Sequence, residues 1–179
     1  IILSRKTRES AYQHAYAELK RRYPTWDAAA DAAPEEIEKI IWSSGLSRRK
    51  ATSIVGALDV IRQAFGSCSL DDAMGWPDQE LEKFLCSLPE IQKKSAFCVM
   101  MYSMGRRVFP VDTHVGRMMR RLAPTEILGI SLDGLDHKKL QSSLVDLVPP
   151  VIRHSLHVNM VMHGRTFCKA RSPDCDKCA

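Results

Sequence analysis

Two residues of the central stretch, Lys94 and Asp112, have side chains that could carry covalent chemistry. Lys94 follows the Leu88-Pro89 break and begins an apolar helical pattern, whereas Asp112 lies in a loop that reads Val-Asp-Thr-His. In a first helical turn the helix dipole and the neighbouring Lys93 disfavour a charged ammonium, and the uncharged amine is a nucleophile. A helix and a return loop could bring the carboxylate beside this amine. A plain ion pair at a helix end is the alternative explanation of the two residues alone.

The cysteines fall into two groups, and one of them has the spacing of a metal site. Cys86 and Cys98 lie in apolar helical segments and Cys68 in a loop, so we expect free thiols there rather than disulfides. The other three form a C-x6-C-x2-C pattern at Cys168, Cys175 and Cys178. Three thiols in a short basic segment favour a soft metal, and the spacing alone leaves zinc and iron–sulfur open. His163 is a further candidate ligand, although helix-end histidines more often bond to the backbone.

Helical spacing of apolar residues accounts for the elements that must position these groups. It predicts helices over 2–23, 34–44, 51–65, 78–85, 93–104, 116–122, 137–147 and 151–164, with a loop at 128–135. Gly45, Gly66 and Gly105 are expected to end three of them. Because no segment alternates as a strand does, the sequence predicts an all-α protein.

Length and composition allow several domain arrangements and several classes of partner. A chain of 179 residues with 45% hydrophobic and 26% charged residues can bury one core or two small helical domains. No apolar run could span a bilayer and no signal peptide is visible, although the chain begins at Ile1 without a Met; we expect an intracellular protein. The net charge of +5 permits an anionic partner, but clusters such as Arg48 to Lys50 or Arg117 to Arg121 would also suit solvated helix faces.

The stretch from Leu88 to Val115 resembles the helix-hairpin-helix DNA glycosylases of the endonuclease III family, within the HhH-GPD superfamily. The family's motif runs Leu-Pro-Gly-x-Gly-Arg-Lys-Thr-Ala, then an apolar helix, then Val-Asp-Thr-His. Its catalytic lysine falls on Lys94 and its catalytic aspartate on Asp112. Two further family patterns, Ile-Gly-Leu-x-x-x-Lys-Ala and Leu-His-Gly-Arg, match Ser44 to Ala51 and Met162 to Arg165.

The resemblance extends from Ile2 to Cys178 and implies an architecture. That architecture is two helical domains, residues 1–106 with the helix-hairpin-helix and residues 107–179, with a DNA-binding cleft between them and a C-terminal iron–sulfur cluster loop. The family's first helix is not visible before Ile1. Members of that family carry a fourth cysteine shortly after the third and hold a [4Fe-4S] cluster. The resemblance therefore implies Cys168, Cys175 and Cys178 as ligands, with the fourth ligand not in this sequence.

The resemblance also implies DNA-binding residues, and at three of them this chain departs from the family. The implied residues are Lys6, Glu90, Ile91, Gln92, Lys93 and His114. Glu90 and Gln92 replace the hairpin glycines, which take positive φ without strain and present N–H groups to a phosphate. A carboxylate there could repel the phosphate. Lys6 stands where the family has a glutamine that fills the gap left by an everted base.

These matches predict a base excision repair enzyme. It would be a bifunctional DNA glycosylase and abasic-site lyase that removes a damaged base, an oxidised pyrimidine, through a lysine Schiff base and nicks the strand by β-elimination. Relatives that only excise adenine lack a lysine at this position, so Lys94 favours the bifunctional class. We expect a monomer whose partner is double-stranded DNA with damaged bases or abasic sites, located with DNA in the cytoplasm and nucleoid or in a nucleus.

Three alternatives stay open at this point. Because three DNA-handling residues differ, the chain could be a lyase-biased member with an altered substrate range. It could also be a binding module that keeps the fold without the chemistry. The cysteine segment allows a third class, a regulator that senses redox state through a bound cluster.

Overall fold

The structure, a computed structural model, describes residues 1–122, 129 and 131–178. Every regular element within these residues is helical, which confirms the predicted all-α class. The α-helices are α1 (Glu9–Arg22), α2 (Trp26–Ala30), α3 (Pro34–Ile41), α4 (Ser47–Phe65), α5 (Asp78–Ser87), α6 (Lys93–Met104), α7 (Thr113–Leu122), α8 (His137–Leu147) and α9 (Arg153–Thr166). None of the helices in this part of the chain has the length and apolar character needed to cross a membrane.

Most predicted helix ends agree with the structure, and four starts do not. Helices α4 and α7 begin earlier than predicted, at Ser47 and Thr113 rather than at residues 51 and 116. Gly66 and Gly105 follow α4 and α6 with φ of 75° and 65°, as expected for C-terminal glycines. The predicted helix from residue 2 begins only at Glu9, since residues 2–6 form a turn in which Lys6 has φ of 49°. The last helix begins at Arg153, because Pro150–Ile152 forms a 3-10 turn. The loop predicted for 128–135 falls partly outside the described residues.

The first compact unit is Ile1–Ala96. Helix α3 packs against α1 and α4, and α2 packs against α4, around a core that includes Ala15, Leu19, Ile37, Ile41 and Ala51. Lys50 lies within this unit with only 3% of its surface exposed. Its Nζ donates to the carbonyl oxygens of Leu3 at 2.8 Å and Ser44 at 2.7 Å, and to the hydroxyl of Thr7 at 2.6 Å. The N-terminal turn is therefore fixed to the start of α4.

The second compact unit is Phe97–Ala179. Its core is made of apolar residues from the loop after α6 and from α7, α8 and α9, including Phe109, Val111, Val115, Leu140 and Leu144. Helices α7 and α9 pack against each other. The two units divide within α6, whereas the sequence places the boundary in the loop that follows this helix.

Candidate active site

Lys94 lies where the sequence predicts it, on the first turn of α6 and exposed to solvent. The preceding hairpin turn is closed by the N–H of Ile91, which donates to the carbonyl oxygen of Leu88 at 3.1 Å. Helix α6 starts with the N–H of Ala96 donating to the carbonyl oxygen of Gln92 at 2.9 Å. The neighbouring lysine, Lys93, forms an ion pair with Glu82 at 3.0 Å. Lys93 is thus held to α5, while the Lys94 side chain extends into solvent.

The hairpin keeps its turn without the family's glycines. Glu90 adopts φ of 63°, the left-handed conformation that glycine takes more easily, whereas Gln92 is not among the residues with positive φ. The side chain of Ile91 is 7% exposed and packs in the interior. The Glu90 carboxylate contacts Arg5 and Arg49. The geometry of the hairpin is therefore retained, but a fixed carboxylate stands at its tip.

Asp112 serves as the N-cap of α7. Its Oδ1 accepts hydrogen bonds from the backbone N–H groups of His114 at 2.9 Å and Val115 at 2.8 Å. Both hydrogen bonds reach the same carboxylate oxygen, so the start of α7 holds Asp112 through Oδ1. The sequence reasoning identified Asp112 but not its role as a helix cap.

Two buried side chains fix the backbone just before Asp112. Gln141 of α8 accepts from the N–H of Val111 at 2.8 Å and donates to the carbonyl oxygen of Phe109. His157 of α9, 3% exposed, contacts the carbonyl oxygen of Pro110 through Nδ1 at 2.7 Å. Sequence reasoning missed both residues. Neither lies in a recognised motif, and only a polar residue at an apolar helical position could have drawn attention to them.

The arginines of α7 bind the protein's own backbone. The Arg117 guanidinium donates to the carbonyl oxygens of Gly164 at 2.8 Å and Cys168 at 2.7 Å and contacts His114 Nδ1 at 3.1 Å. Arg121 donates to the carbonyl oxygen of Lys169 at 2.9 Å. Arg117 and Arg121 therefore hold the end of α9 and the segment after it, and Arg117 links His114, next to the Asp112 cap, to Cys168.

Gly164 explains the match to the family's His-Gly-Arg. A Cβ at this position would lie 2.9 Å from Cβ of His114 and 3.0 Å from its Nδ1. Only glycine allows α9 to approach α7 this closely. His114, predicted to contact DNA, is half-buried in this contact with Arg117 and Gly164.

The cysteine segment does not form a complete metal site in the part of the chain that the structure describes. No three histidine, cysteine, aspartate or glutamate side chains there form a group that could hold a metal ion. Cys168 is buried and its Sγ accepts from Arg121 at 3.3 Å, whereas Cys178 Sγ lies 3.4 Å from His163 Nε2. The three thiols have suitable chemistry for a cluster, and their role as cluster ligands stays a prediction.

The candidate residues are divided between the two units. The first unit contains Lys6, the hairpin and Lys94, and the second contains Asp112, His114 and the three cysteines. Within the first unit, contacts link the N-terminal turn, the start of α4 and the hairpin. Within the second unit, a chain of contacts runs from His114 through Arg117 to Cys168.

Comparison with known proteins supports the resemblance seen in the motifs. Residues 1–127 match the model of the HhH-GPD superfamily base excision DNA repair protein. The chain is 31% identical over 178 residues to endonuclease III of Synechocystis, covering 99% of this chain and 74% of the relative. It is 30% identical to a protein of Arabidopsis thaliana named "Putative DNA glycosylase", covering 92% of this chain and only 54% of that relative.

Solved structures support the same family. The structure of a trapped endonuclease III–DNA covalent intermediate superimposes with a TM-score of 0.80 at 27% identity, covering 99% of this chain and 76% of that one. The predicted family and enzyme class are confirmed. The chain therefore belongs to the HhH-GPD superfamily of base excision DNA repair proteins and, within it, to the endonuclease III-like DNA glycosylases.

Proposed function

We propose that this protein is a bifunctional DNA glycosylase and abasic-site lyase, with double-stranded DNA as its partner and an oxidised pyrimidine as the excised base. The observation that carries the proposal is the exposed amine of Lys94 on the first turn of α6, in a chain of the endonuclease III family. A solved relative forms a trapped covalent intermediate with DNA, which is the behaviour that an amine nucleophile produces. Such an enzyme works where DNA is, on a base taken out of the stack.

The proposed chemistry begins with the uncharged amine of Lys94. Its nitrogen attacks C1′ of the deoxyribose, the bond from C1′ to the base breaks, and the base leaves with the electron pair and takes up a proton. The sugar ring opens to a Schiff base, which makes the hydrogens on C2′ acidic. Loss of one of them expels the 3′ phosphate, and the strand is nicked by β-elimination. Water then releases the sugar remnant from Lys94.

Asp112 is the proposed electrostatic partner in this reaction. Because its Oδ1 is held by two backbone N–H groups, the carboxylate has a defined orientation before DNA arrives. Its other oxygen would stabilise positive charge that develops on the sugar and help to position or deprotonate the nucleophile. Gln141 and His157 would maintain this orientation through the backbone of residues 109–111.

Borohydride trapping tests the proposal. The wild type, Lys94→Ala and Lys83→Ala would each be incubated with duplexes that carry an abasic site or an oxidised pyrimidine. Lys83→Ala is the matched control, since this lysine of α5 is also exposed and is not among the residues expected to bind DNA. We expect covalent adducts on both duplexes with the wild type and with Lys83→Ala, and none with Lys94→Ala. An adduct that persists in Lys94→Ala would refute the assignment of the nucleophile.

The fixed carboxylate of Glu90 favours a second candidate, a lyase-biased member with an altered substrate range. A hairpin that carries a negative charge at its tip would dock weakly on an intact backbone. The same experiment separates the two functions: an adduct on the abasic duplex alone identifies the lyase-biased enzyme. DNA binding without any adduct would identify a binding protein that has kept the fold.

We propose separately that Cys168, Cys175 and Cys178 supply three ligands of a [4Fe-4S] cluster. The support is their C-x6-C-x2-C spacing in a chain of this family, and no step of the reaction above passes through the cluster. Iron and acid-labile sulfide would be measured in the purified wild type and in Cys175→Ser, with Cys86→Ser as the control. Equal iron in Cys175→Ser and the wild type would contradict the proposal.

A further inference from the structure

The carboxylate of Glu90 lies between two arginines from distant parts of the first unit. Arg5 of the N-terminal turn contacts Oε2 at 2.8 Å. Arg49 of α4 contacts Oε1 through Nη2 at 2.6 Å and through Nε at 3.0 Å. The side chains remain partly open to solvent, with 35% of Arg5, 65% of Arg49 and 28% of Glu90 exposed. Two guanidinium groups thus converge on one oxyanion at the tip of the hairpin.

The backbone that carries the two arginines is held by contacts that do not involve the Glu90 side chain. Arg5 lies in the N-terminal turn, which buried Lys50 fixes through Leu3 and Thr7 on either side of Arg5. Arg49 precedes Lys50 in the first turn of α4 and is fixed by the helix itself. Removal of the carboxylate would leave the backbone under both arginines in place, and Arg5 Nη1 also donates to the carbonyl oxygen of Glu90 at 3.4 Å. Both guanidinium groups would therefore remain within reach of the tip of the hairpin. Paired guanidinium groups of this kind bind phosphate as readily as carboxylate.

Glu90 occupies this point at a conformational cost. Its φ of 63° is unfavourable for a residue with a Cβ, so the ion pairs offset backbone strain. Hydrogen bonds from Arg49 and then Arg5 hold the pKa of the Glu90 carboxyl below its ordinary value, and the group is charged at neutral pH. The hairpin therefore carries its own anion where the family's motif has a glycine.

We propose that Arg5 and Arg49 form a binding site for a backbone phosphate of DNA, and that the carboxylate of Glu90 fills this site in the free protein. This inference rests on the proposed function, because it assumes that the hairpin faces DNA. The phosphate competes with the carboxylate for the same two guanidinium groups. Glu90 thereby lowers the affinity of the hairpin for DNA and prevents the two arginines from adding to non-specific binding.

The test is a binding series on a duplex that contains a stable abasic-site analogue, measured by fluorescence anisotropy at several salt concentrations. The variants are Glu90→Gln, Arg49→Met and the double variant. Glu18→Gln is the matched control, because it removes the same charge and releases an arginine, Arg21, from an ion pair at 2.6 Å on α1. Glu90→Gly serves as a second variant that restores the family's residue and relieves the backbone.

We expect Glu90→Gln to tighten binding about tenfold at low salt, and to steepen the dependence of log Kd on log salt by about one. Glu90→Gly should bind at least as tightly. Arg49→Met should weaken binding about tenfold in the Glu90→Gln background and less than about twofold in the wild type, since the site is filled there. Glu18→Gln should resemble the wild type.

Two results would overturn the inference. In the first, Glu90→Gln binds no more tightly than Glu18→Gln; in the second, Arg49→Met has the same effect in both backgrounds. If either result is found and the wild type still forms its borohydride adduct, the proposed phosphate site is wrong and the proposed function stands. If no variant binds the duplex and no adduct forms, both the site and the proposed function are wrong.

Discussion

The hairpin before α6 and the loop before α7 hold their key residues by opposite means. Glu90 in the hairpin is fixed by ion pairs to two partly exposed arginines. The loop that leads to Asp112 is fixed by hydrogen bonds from Gln141 and His157, both 3% exposed, to backbone groups. Exposed ion pairs are weakened by salt and acid, whereas buried hydrogen bonds are insulated from the solvent.

This contrast separates the affinity of the enzyme for DNA from the orientation of its Asp112 carboxylate. Two of the three named departures from the family's motifs, Glu90 and Gln92, lie in the hairpin, where contact with the DNA backbone is expected. The segment from Asp112 to Cys168 matches the family's Val-Asp-Thr-His motif near its start and the His-Gly-Arg motif near its end, and Arg117 and Gly164 hold these two parts together. We infer that DNA affinity in this protein can change while the orientation of the carboxylate stays the same.

The largest effect is expected on base excision by Asp112→Asn, which tests the role of the carboxylate in the loop before α7. Asparagine caps helices as well as aspartate does, so α7 should keep its start while the negative charge is lost. Single-turnover base excision should slow by at least about 10²-fold, with little change in DNA affinity or thermal stability. Asp112→Ala is the companion variant, because it removes the cap as well. Unchanged excision in Asp112→Asn would show that the carboxylate has no role in the reaction.

Gln141→Leu should be the next most damaging change. It leaves the buried N–H of Val111 and the carbonyl oxygen of Phe109 without their partner, at a cost of roughly 1–3 kcal/mol each. Urea unfolding should show this loss, and excision should slow more than binding weakens. The control is Gln63→Leu, the same replacement at an exposed position of α4. Equal stability of the two variants would show that the hydrogen bonds of Gln141 to Val111 and Phe109 do not stabilise the loop before Asp112.

Gly164→Ala should destabilise the second unit by about 1–3 kcal/mol, because its new Cβ meets His114 at 2.9 Å in a packed contact. Gly75→Ala provides the control, since no atom lies within 4 Å of a Cβ at that position. Urea unfolding of both variants measures the difference. If Gly164→Ala is as stable as Gly75→Ala, the approach of α9 to α7 does not depend on glycine.

The smallest effect is expected for the stability of Glu90→Gln. The folded protein lowers the pKa of Glu90 below its ordinary 4.5, so its ion pairs stabilise the fold above that pH and are lost as pH falls through the lowered value. Thermal unfolding should therefore show a small deficit in Glu90→Gln at neutral pH that disappears in acid and in high salt. The deficit of Gln141→Leu should persist in high salt, and a salt-sensitive Gln141→Leu would remove the contrast between the two regions.

Much of the fold and the identity of the main candidate residues could be predicted from the sequence. Helix ends are local, since a glycine or proline at a boundary acts through its own φ and N–H, and the ends at Gly66 and Gly105 agree with the structure. Lys94 and Asp112 were found through motifs that lie within one continuous stretch. The misplaced start of α1 has a local cause too, but Lys6 at φ of 49° is not a residue type that predicts such a turn.

The sequence by itself therefore determined the helical class, the family, and the positions of the amine and the carboxylate. The tertiary structure alone decided which partners the charged and polar residues take. Glu90 meets Arg5 and Arg49, Gln141 meets the backbone before Asp112, and the arginines of α7 donate to backbone carbonyl groups of other segments. The physical reason is that these contacts join residues far apart in the chain. Such pairings depend on how helices pack, which neither periodicity nor a local motif specifies.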